Sequence, residues 1–424
     1  MQMTVEELRI LEGKEGSLKK RALELIVAYA EALGALRLCK ISKAHLYAGA
    51  HQYLRIRALE GLDPDQIISK MHFCSDERMI LNDVACFAQT DAGPMDPDQW
   101  SKLGFSFNEA TFNDLFLCRY LHAGIHLIGT CAPYLTGFIP LMGEHYVSTE
   151  SHAVTLMNSI WGACANADGI EIAFCSAFCG FTPYWGNHVP EQRKATHLIQ
   201  IDWTPSSIHD WDALGYAIGR KAPAFCTPLL TGNFPKVDIN RLRACFAAMA
   251  ASSGVEMCHI LGHTPEALTR EMATGNNKVE SDVISEKEIS EVFDLLGCRG
   301  GEVCFVSLGC PHFSIEQIKE VSQSLSGRKI HPRVEFQVWT AAAIKSISDR
   351  CGYTDEIEKA GGNLVCGSCP LLTGKFPDDG QYGLLFDSAK QANYVRSKVR
   401  GKVHYGTARE CVEAAVSGVF NPGS

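Results

Sequence analysis

The sequence lacks the long apolar runs and the positive charge that are typical of membrane proteins and nucleic-acid-binding proteins. No stretch reaches the roughly 18–20 apolar residues that a transmembrane helix needs. The formal net charge is −9, which argues against a polyanionic partner such as nucleic acid but allows a small anionic substrate held by one local cation. The first residues are acidic and do not have the pattern of a signal peptide, so we expect a cytoplasmic protein.

Paired metal-binding motifs are also scarce, although cysteine is abundant. The 424 residues include 18 cysteines. Because their spacing is irregular and the sequence shows no export signal, free thiols are favoured over disulfides. A structural zinc site usually has two CxxC-like pairs, or one pair with paired histidines. This sequence has a single such pair, Cys366 and Cys369.

The pattern of apolar segments predicts an α/β fold. A length of 424 residues predicts two or three domains. In the C-terminal half, strand patterns alternate with helices that begin at capping boxes such as Ser285 to Glu288 and Ser314 to Gln317, which favours mostly parallel sheets flanked by helices. Proline and glycine are frequent over about 203–240. We therefore predict an N-terminal α/β region over 1–240 and a C-terminal α/β region over 241–424.

Three cysteines stand where a predicted strand leaves its sheet, and each has a proline within the next four positions. They are Cys131 in the N-terminal region and Cys310 and Cys366 in the C-terminal region. Ligands of open α/β sheets bind in the crevice at the carboxyl ends of the strands. Three thiolates that meet there could hold an iron–sulfur cluster with one iron open to substrate. A zinc site, a thioredoxin-like dithiol and purely structural cysteines are the alternatives that the pattern leaves open.

Several longer motifs resemble the aconitase X family, and they run nearly from end to end of the chain. They are Gly129-Thr-Cys131-Ala-Pro-Tyr-Leu-Thr-Gly137, Gly143-Glu-His-Tyr-Val-Ser-Thr-Glu150-Ser151-His, Met157-Asn158-Ser159-Ile-Trp-Gly-Ala163, Thr182-Pro-Tyr184-Trp-Gly186, Leu308-Gly-Cys310-Pro-His312, Phe386-Asp-Ser388-Ala-Lys390 and Glu410-Cys-Val-Glu-Ala-Ala415. The resemblance implies an aconitase-like α/β fold of mostly parallel sheets flanked by helices in two or three domains. It implies that the swivelling domain is lacking here and is a separate small subunit.

The resemblance also implies a set of site residues. The cluster ligands are Cys131, Cys310 and Cys366, and the cluster is a 2Fe-2S or a 3Fe/4Fe-4S type. Cys369 competes with Cys131, because a lone cysteine followed by a CxxC pair is the spacing of classical aconitases, but the motif around Cys131 matches the family better. The implied substrate contacts are Gly49, Ala50, His51, Asp91, Ala92, Glu150 and Ser151. Ser388 and Lys390 are further candidates for the pocket.

Members of this family dehydrate a small hydroxy acid, with the open iron acting as a Lewis acid on the leaving hydroxyl. The resemblance implies that a serine of the small subunit is the base, so we expect no catalytic base in this chain. Relatives that act on phosphomevalonate have a small hydroxyl residue near His51, an Asn near Asp91 and an Arg within 163–169. This chain has His51, Asp91 and no arginine in that segment. A pocket with these residues suits a phosphate less well and a ring ammonium better.

The expected reaction is therefore the dehydration of cis-3-hydroxy-L-proline to Δ1-pyrroline-2-carboxylate. Mevalonate-5-phosphate dehydration is the alternative within the family. A non-catalytic iron–sulfur or zinc protein, used for regulation or electron transfer, is the alternative from another class.

Overall fold

A computed structural model describes residues 1–48, 59–235, 237–297, 299–378 and 380–423. The α-helices in these ranges are Val5–Leu11, Ser17–Ala32, Pro64–Phe73, Phe107–His122, Ser151–Trp161, Ile170–Cys179, Ile208–Lys221, Ile239–Ser252, Arg270–Thr274, Glu286–Leu296, Ile315–Leu325, Ala342–Arg350, Tyr353–Ala360, Pro370–Thr373, Ala389–Val395 and Ala408–Ser417. None of the helices in the described ranges is long and apolar enough to cross a membrane.

The strands are short, with one exception. They are β1 (Leu38–Lys40), β2 (Lys43–Leu46), β3 (Phe87–Thr90), β4 (Ile125–His126), β5 (Tyr146–Ser148), β6 (Phe181–Pro183), β7 (His197–Asp202), β8 (Pro228–Gly232), β9 (His259–Ile260), β10 (Glu280–Ser285), β11 (Gly301–Phe313), β12 (Glu335–Thr340), β13 (Asn363–Cys366), β14 (Gly383–Phe386), β15 (Val403–Tyr405) and β16 (Val419–Phe420).

Three parallel sheets follow one another along the chain. The first has the order β4-β3-β2-β5 and the second the order β10-β7-β8-β9. The third has the order β13-β12-β11-β14-β15, and β16 pairs antiparallel with the start of β11. A small antiparallel sheet of β1 and β6 stands beside the first. The predicted α/β class with mostly parallel sheets is confirmed.

Buried apolar side chains on the helices account for this layering. Helix 170–179 packs against the first sheet and helix 17–32 packs against helix 170–179, and the fully buried side chains of this core include Leu23, Ile26 and Phe174. Burial of such side chains contributes about 1.5–3 kcal/mol each. Another core joins the second sheet to helices 208–221 and 239–252, and a third surrounds the parallel strands around β11.

The sheets divide the chain differently from the two predicted regions. The predicted boundary after residue 240 falls inside the helix Ile239–Ser252. The second sheet takes β7 and β8 from before this point and β9 and β10 from after it. The proline and glycine residues that suggested a junction lie in the connections within that second sheet.

The sequence pattern predicts that the strand leading to Cys310 ends at Leu308, but the strand is longer. It continues as β11 to Phe313, with an irregular register between Leu308 and Phe313. Gly309 explains the irregularity, because its φ is +101° and a Cβ there would lie 2.3 Å from the carbonyl oxygen of Trp339. Cys310 therefore sits in a bulge of a strand, which turns its side chain out of the regular alternation.

We expect Gly309→Ala to destabilise the protein more than a substitution of a glycine that has a positive φ but no atom close to the added Cβ. The left-handed backbone costs about 1–2 kcal/mol for a non-glycine residue, and the clash with the Trp339 carbonyl adds about 1–3 kcal/mol. Gly327→Ala is the matched control, because its φ is +72° but no atom lies within 4 Å of the added Cβ. Thermal unfolding followed by fluorescence should show the larger fall in Tm for Gly309→Ala, and equal falls would contradict this account of the bulge.

Candidate functional site

A buried histidine, His312, joins the three loops that carry the predicted cysteines. Its backbone N–H donates to Sγ of Cys131 at 3.4 Å. Its Nε2 lies 2.7 Å from the carbonyl oxygen of Ser368, and its Nδ1 lies 2.9 Å from the hydroxyl of Thr130. Because a carbonyl can only accept, Nε2 carries the proton and Nδ1 accepts from Thr130. Burial lowers the pKa of His312 to about 4, so this ring is neutral at physiological pH.

Glycines allow the same loops to approach closely. Gly129 has a φ of +64°, and a Cβ there would lie 3.1 Å from Cα of Gly367. The N–H of Gly93 donates to the carbonyl oxygen of Gly367 at 2.7 Å. The loop before Cys131, the loop after β3 and the Cys366–Cys369 segment are thus in backbone contact.

A second buried histidine ties these loops to the first sheet. His45 on β2 donates from Nε2 to the carbonyl oxygen of Thr130 at 2.8 Å, and its Nδ1 lies 3.1 Å from the hydroxyl of Ser148 at the end of β5. Burial lowers the pKa of His45 to about 4, so this ring is also neutral. Its Nε2 lies 3.7 Å from Oδ1 of Asp91, which places that carboxyl beside the Cys131 loop.

Two carboxyl groups follow β3 and β5, the parallel strands on either side of β2, and differ in their proton affinity. Burial, and then the charge of Glu150, raise the pKa of Asp91 well above its usual range. Burial alone would also raise the pKa of Glu150, but the charges of Lys390 and His152 hold it well below its usual range. Glu150 therefore favours the ionised form, whereas Asp91 holds its proton more tightly than an ordinary aspartate.

The partners of Glu150 connect the first and third sheets. Nζ of Lys390 donates to Oε1 of Glu150 at 2.6 Å, and Nδ1 of His152 lies 2.9 Å from the same oxygen. Glu150 is also the N-cap of the helix Ser151–Trp161, where it accepts from the N–H of His152. Lys390 stands in the first turn of the helix Ala389–Val395, which follows β14.

Three thiols share this region and are partly exposed: Cys131, Cys310 and Cys369. Burial, and then Glu150 and Cys310, raise the pKa of Cys131. Burial raises the pKa of Cys310. The charge of Lys390 lowers this pKa, and Cys369 raises it further. The Ser388 side chain hydrogen-bonds the Cys310 thiol. The ionisation of each of these thiols is therefore coupled to that of at least one of the other two.

The Cys369 thiol is the least costly of the three to ionise. Burial raises its pKa to about 11, while backbone hydrogen bonds from Leu372 and Leu371 lower it, as does the charge of Lys390. Backbone N–H groups that point at sulfur favour the thiolate, which is the form that binds metal.

The other cysteine of the pair, Cys366, points elsewhere. It is buried, and its Sγ lies 3.4 Å from Oδ2 of Asp96, which also accepts from the Cys366 N–H at 2.9 Å. Burial, and then Asp96, raise the pKa of Cys366. A thiol that donates to a carboxylate is less available to a cluster than Cys369.

The structure brings most of the predicted substrate residues together. Asp91, Glu150 and Ser151 lie at the carboxyl ends of β3 and β5, and the N–H of Ala92 donates to Oδ1 of Asp91 at 2.6 Å. Gly49, Ala50 and His51 lie outside the described residues. A cavity of about 200 Å³ adjoins the site, and Ala48, Asp91 and Cys366 are among its lining residues.

Sequence reasoning missed a buried arginine. Arg243, on the helix Ile239–Ser252, is 1% exposed, and its Nη1 has no hydrogen-bond partner among the described residues. Its charge lowers the pKa of His152 and of His312, which places it beside the site. The only sequence signal was an arginine within an otherwise apolar helix, and no motif marks it. A free guanidinium N–H there suits a carboxylate or a phosphate oxygen.

The donor set fits an iron–sulfur cluster better than a single ion. The three partly exposed thiols are soft sulfur donors, the ligands of such clusters. They do not lie close enough together to share one ion. Within the described ranges, the group that does is Cys39, His145 and His188. Ligands of one cluster bind different iron atoms and need not share an ion.

Family models and known proteins match nearly the whole chain. The model described as Aconitase X first domain matches residues 1–191, the second domain 195–294 and the third domain 303–417. The phosphomevalonate dehydratase large subunit of Methanocaldococcus jannaschii is 32% identical, covering 97% of this chain and 100% of that protein. The cis-3-hydroxy-L-proline dehydratase of Pseudomonas aeruginosa is 28% identical, covering 96% of this chain and 69% of that protein. The crystal structure of Thermococcus kodakaraensis aconitase X, in its holo-form, has a TM-score of 0.80 at 25% identity and covers 98% of this chain and 100% of that chain.

We expect His312→Ala to release iron from the chain, because it frees Thr130 and Ser368 and lets the cysteine loops separate. Each buried partner left without a hydrogen bond costs about 1–3 kcal/mol. His259→Ala is the matched control, since His259 is 1% exposed and its Nε2 lies 2.8 Å from the Arg193 carbonyl oxygen, in the second sheet. Both variants should have a lower Tm, but only His312→Ala should have less than half of the wild-type iron after anaerobic purification. Full iron in His312→Ala would show that the loops do not depend on it.

Proposed function

Because the chain belongs to the aconitase X family, we propose that its site dehydrates cis-3-hydroxy-L-proline to Δ1-pyrroline-2-carboxylate. Membership makes the chain a dehydratase, that is, a hydro-lyase. In the proposed reaction the proton leaves the carbon next to the carboxylate and the hydroxyl leaves the neighbouring carbon. The resulting enamine tautomerises to the cyclic imine.

The observation that carries the choice of substrate is the buried carboxyl of Asp91. Its nearest ring partner, His45, is neutral, and Lys390 is already paired with Glu150 at 2.6 Å. Asp91 therefore lacks a cationic partner of its own in the described part of the site. The ring ammonium of a hydroxyproline zwitterion would supply one, and Asp91 would ionise as it binds.

Phosphomevalonate is the second candidate, and the similarity to the archaeal large subunit at 32% identity favours it. Its phosphate would enter a site that already holds the ionised Glu150 and the carboxyl of Asp91. Among the described residues, Nη1 of Arg243 is an unpartnered cationic donor that could receive an anionic group. It matches the single carboxylate of hydroxyproline, whereas phosphomevalonate carries a carboxylate and a phosphate.

We propose Cys131, Cys310 and Cys369 as the cluster ligands, with Cys369 in place of the Cys366 that the sequence resemblance implied. All three residues are partly exposed, and backbone N–H groups donate to the Cys369 sulfur, which supports this set. When bound, the cluster would supply Lewis acidity at an iron that has no protein ligand.

The chain's own residues would bind and orient the substrate. Asp91 would hold the ring ammonium, and Arg243 would hold the carboxylate. Lys390 and His152 keep Glu150 ionised and hold it at the start of its helix. Its negative charge would therefore have a fixed position relative to the bound substrate.

We also propose that the chain works with a small swivelling subunit that supplies the base. Relatives such as the Methanocaldococcus jannaschii protein are named large subunits, which implies a smaller partner. The Pseudomonas aeruginosa hydroxyproline dehydratase is matched over 69% of its length. The rest of that longer chain is a natural counterpart of a separate subunit.

The two cysteines of the CxxC pair provide a matched test of the ligand set. We expect Cys369→Ala to lose the cluster, because it removes the thiol that faces Cys310. Cys366→Ala should keep the cluster, because its thiol faces Asp96. Iron and sulfide analysis with the electronic spectrum of anaerobically purified protein measures both. Loss of the cluster from Cys366→Ala, with retention in Cys369→Ala, would reverse the assignment.

Asp91→Asn should weaken the use of cis-3-hydroxy-L-proline by the two-subunit complex while leaving the iron content unchanged. Loss of a hydrogen bond to a charged group costs about 1.5–3 kcal/mol, which is roughly a 10- to 100-fold fall in kcat/KM. In the wild type, KM should fall as pH rises through the raised pKa of Asp91, since only the ionised carboxyl attracts the ammonium. This pH dependence should vanish in Asp91→Asn. A wild-type KM that is flat or rises with pH would contradict the role of Asp91.

A further inference from the structure

Three metal-ligating side chains converge at a place that the proposed reaction does not use. Cys39, His145 and His188 each offer one ligand atom, and these atoms lie within 4.8 Å of one another. The Nδ1 atoms of the two histidines are 3.0 Å apart. Cys39 and His188 are 8% and 1% exposed, so the convergence is largely closed to solvent.

Each ligand comes from a different element. Cys39 lies in β1, His145 immediately precedes β5, and His188 ends the 3₁₀ turn Gly186–His188. Other contacts hold the three elements in place. β1 pairs with β6 through Cys39 and Thr182, and the N–H of Ser42 donates to the His145 carbonyl oxygen at 3.0 Å. The side chains are therefore positioned by the backbone around them.

This group is distinct from the cysteine site. His145 precedes β5, whereas Glu150 follows it, so they mark opposite ends of one strand of the first sheet. A strand rises about 3.3 Å per residue, which separates the two ends by roughly 15 Å. Cys39 likewise precedes β2, whose carboxyl end leads to the other site.

We propose that Cys39, His145 and His188 bind one Zn²⁺ ion beside the first sheet, with water in the fourth position. One thiolate and two imidazoles are typical zinc ligands, with Zn–N of about 2.0–2.1 Å and Zn–S of about 2.3 Å. Two nitrogens at that distance in a tetrahedron are about 3.3 Å apart, close to the 3.0 Å between the two Nδ1 atoms.

The neighbouring groups leave the ligands available. The Cys39 thiol is 3.7 Å from the Thr182 carbonyl oxygen, a weak contact for a buried sulfur. Arg37 and Arg193 are the cations that act on these ligands. Arg37 lies over the Tyr184 ring, and Arg193 pairs with Glu266. Zinc would link β1, the start of β5 and the turn at 186–188, which lie far apart in sequence.

The test uses the two-subunit complex purified anaerobically with its cluster intact, without added zinc. Elemental analysis should find about one zinc per large chain in addition to iron. Absorption fine structure at the zinc edge should give one sulfur and two imidazole nitrogens, which separates this site from zinc bound by the cluster cysteines. A zinc shell with two or more sulfurs, or no zinc together with no uptake from a zinc-buffered solution, would overturn the proposal.

Substitutions of single cysteines test whether Cys39 binds the zinc ion. Cys39→Ser should lose most of the zinc while iron and sulfide stay at the wild-type level. Cys175→Ala is the control, because Cys175 is a buried thiol of the same core that donates to the His72 carbonyl oxygen at 3.5 Å, and it should keep the zinc. If Cys39→Ser does not fold, chelation of zinc from the wild type should lower its Tm without changing iron. Zinc retained in Cys39→Ser, or a chelated protein with unchanged Tm, would contradict the site.

Discussion

The hydrogen bonds of one neutral imidazole, that of His312, join the segments that carry the thiols of the site. Cys131, Cys310 and Cys369 come from loops that are far apart in sequence, and each loop also belongs to a different strand. His312 reaches two of these loops with side-chain and backbone hydrogen bonds, and it stands two positions from the third cysteine. Because each of its ring nitrogens has a fixed partner, the tautomer is determined, and the loops can meet in only one arrangement.

The electrostatics of the site follow from the parallel sheets. Asp91 and Glu150 follow β3 and β5, the strands on either side of β2, so two carboxyl groups enter one buried space, where both cannot ionise without compensation. Lys390, which follows a strand of the third sheet, pairs with Glu150 and holds its pKa low, whereas burial keeps the pKa of Asp91 raised. In the proposed reaction, Asp91 would receive the cationic group of an amino acid zwitterion and Arg243 its carboxylate.

Much of this could be predicted from the sequence, because the signals are local. The capping boxes at Ser285 and Ser314 are present as predicted, and cysteines after apolar runs do lie near strand ends. The sequence-based interpretation included Cys366 and weighed Cys369 only against Cys131, because spacing does not show that the Cys366 thiol faces Asp96. His312 and Arg243 were missed for a related reason: their partners lie far away along the chain, as with the 182 residues between Thr130 and His312. Only the folded chain brings such pairs together.

The most direct test of the account is the ratio of kcat/KM for cis-3-hydroxy-L-proline and for phosphomevalonate, measured on one preparation of the two-subunit complex with its cluster intact. The charge pattern around Asp91 and Arg243 predicts that hydroxyproline is the better substrate by at least tenfold, roughly the value of one charged hydrogen bond. A preference for phosphomevalonate would contradict the account.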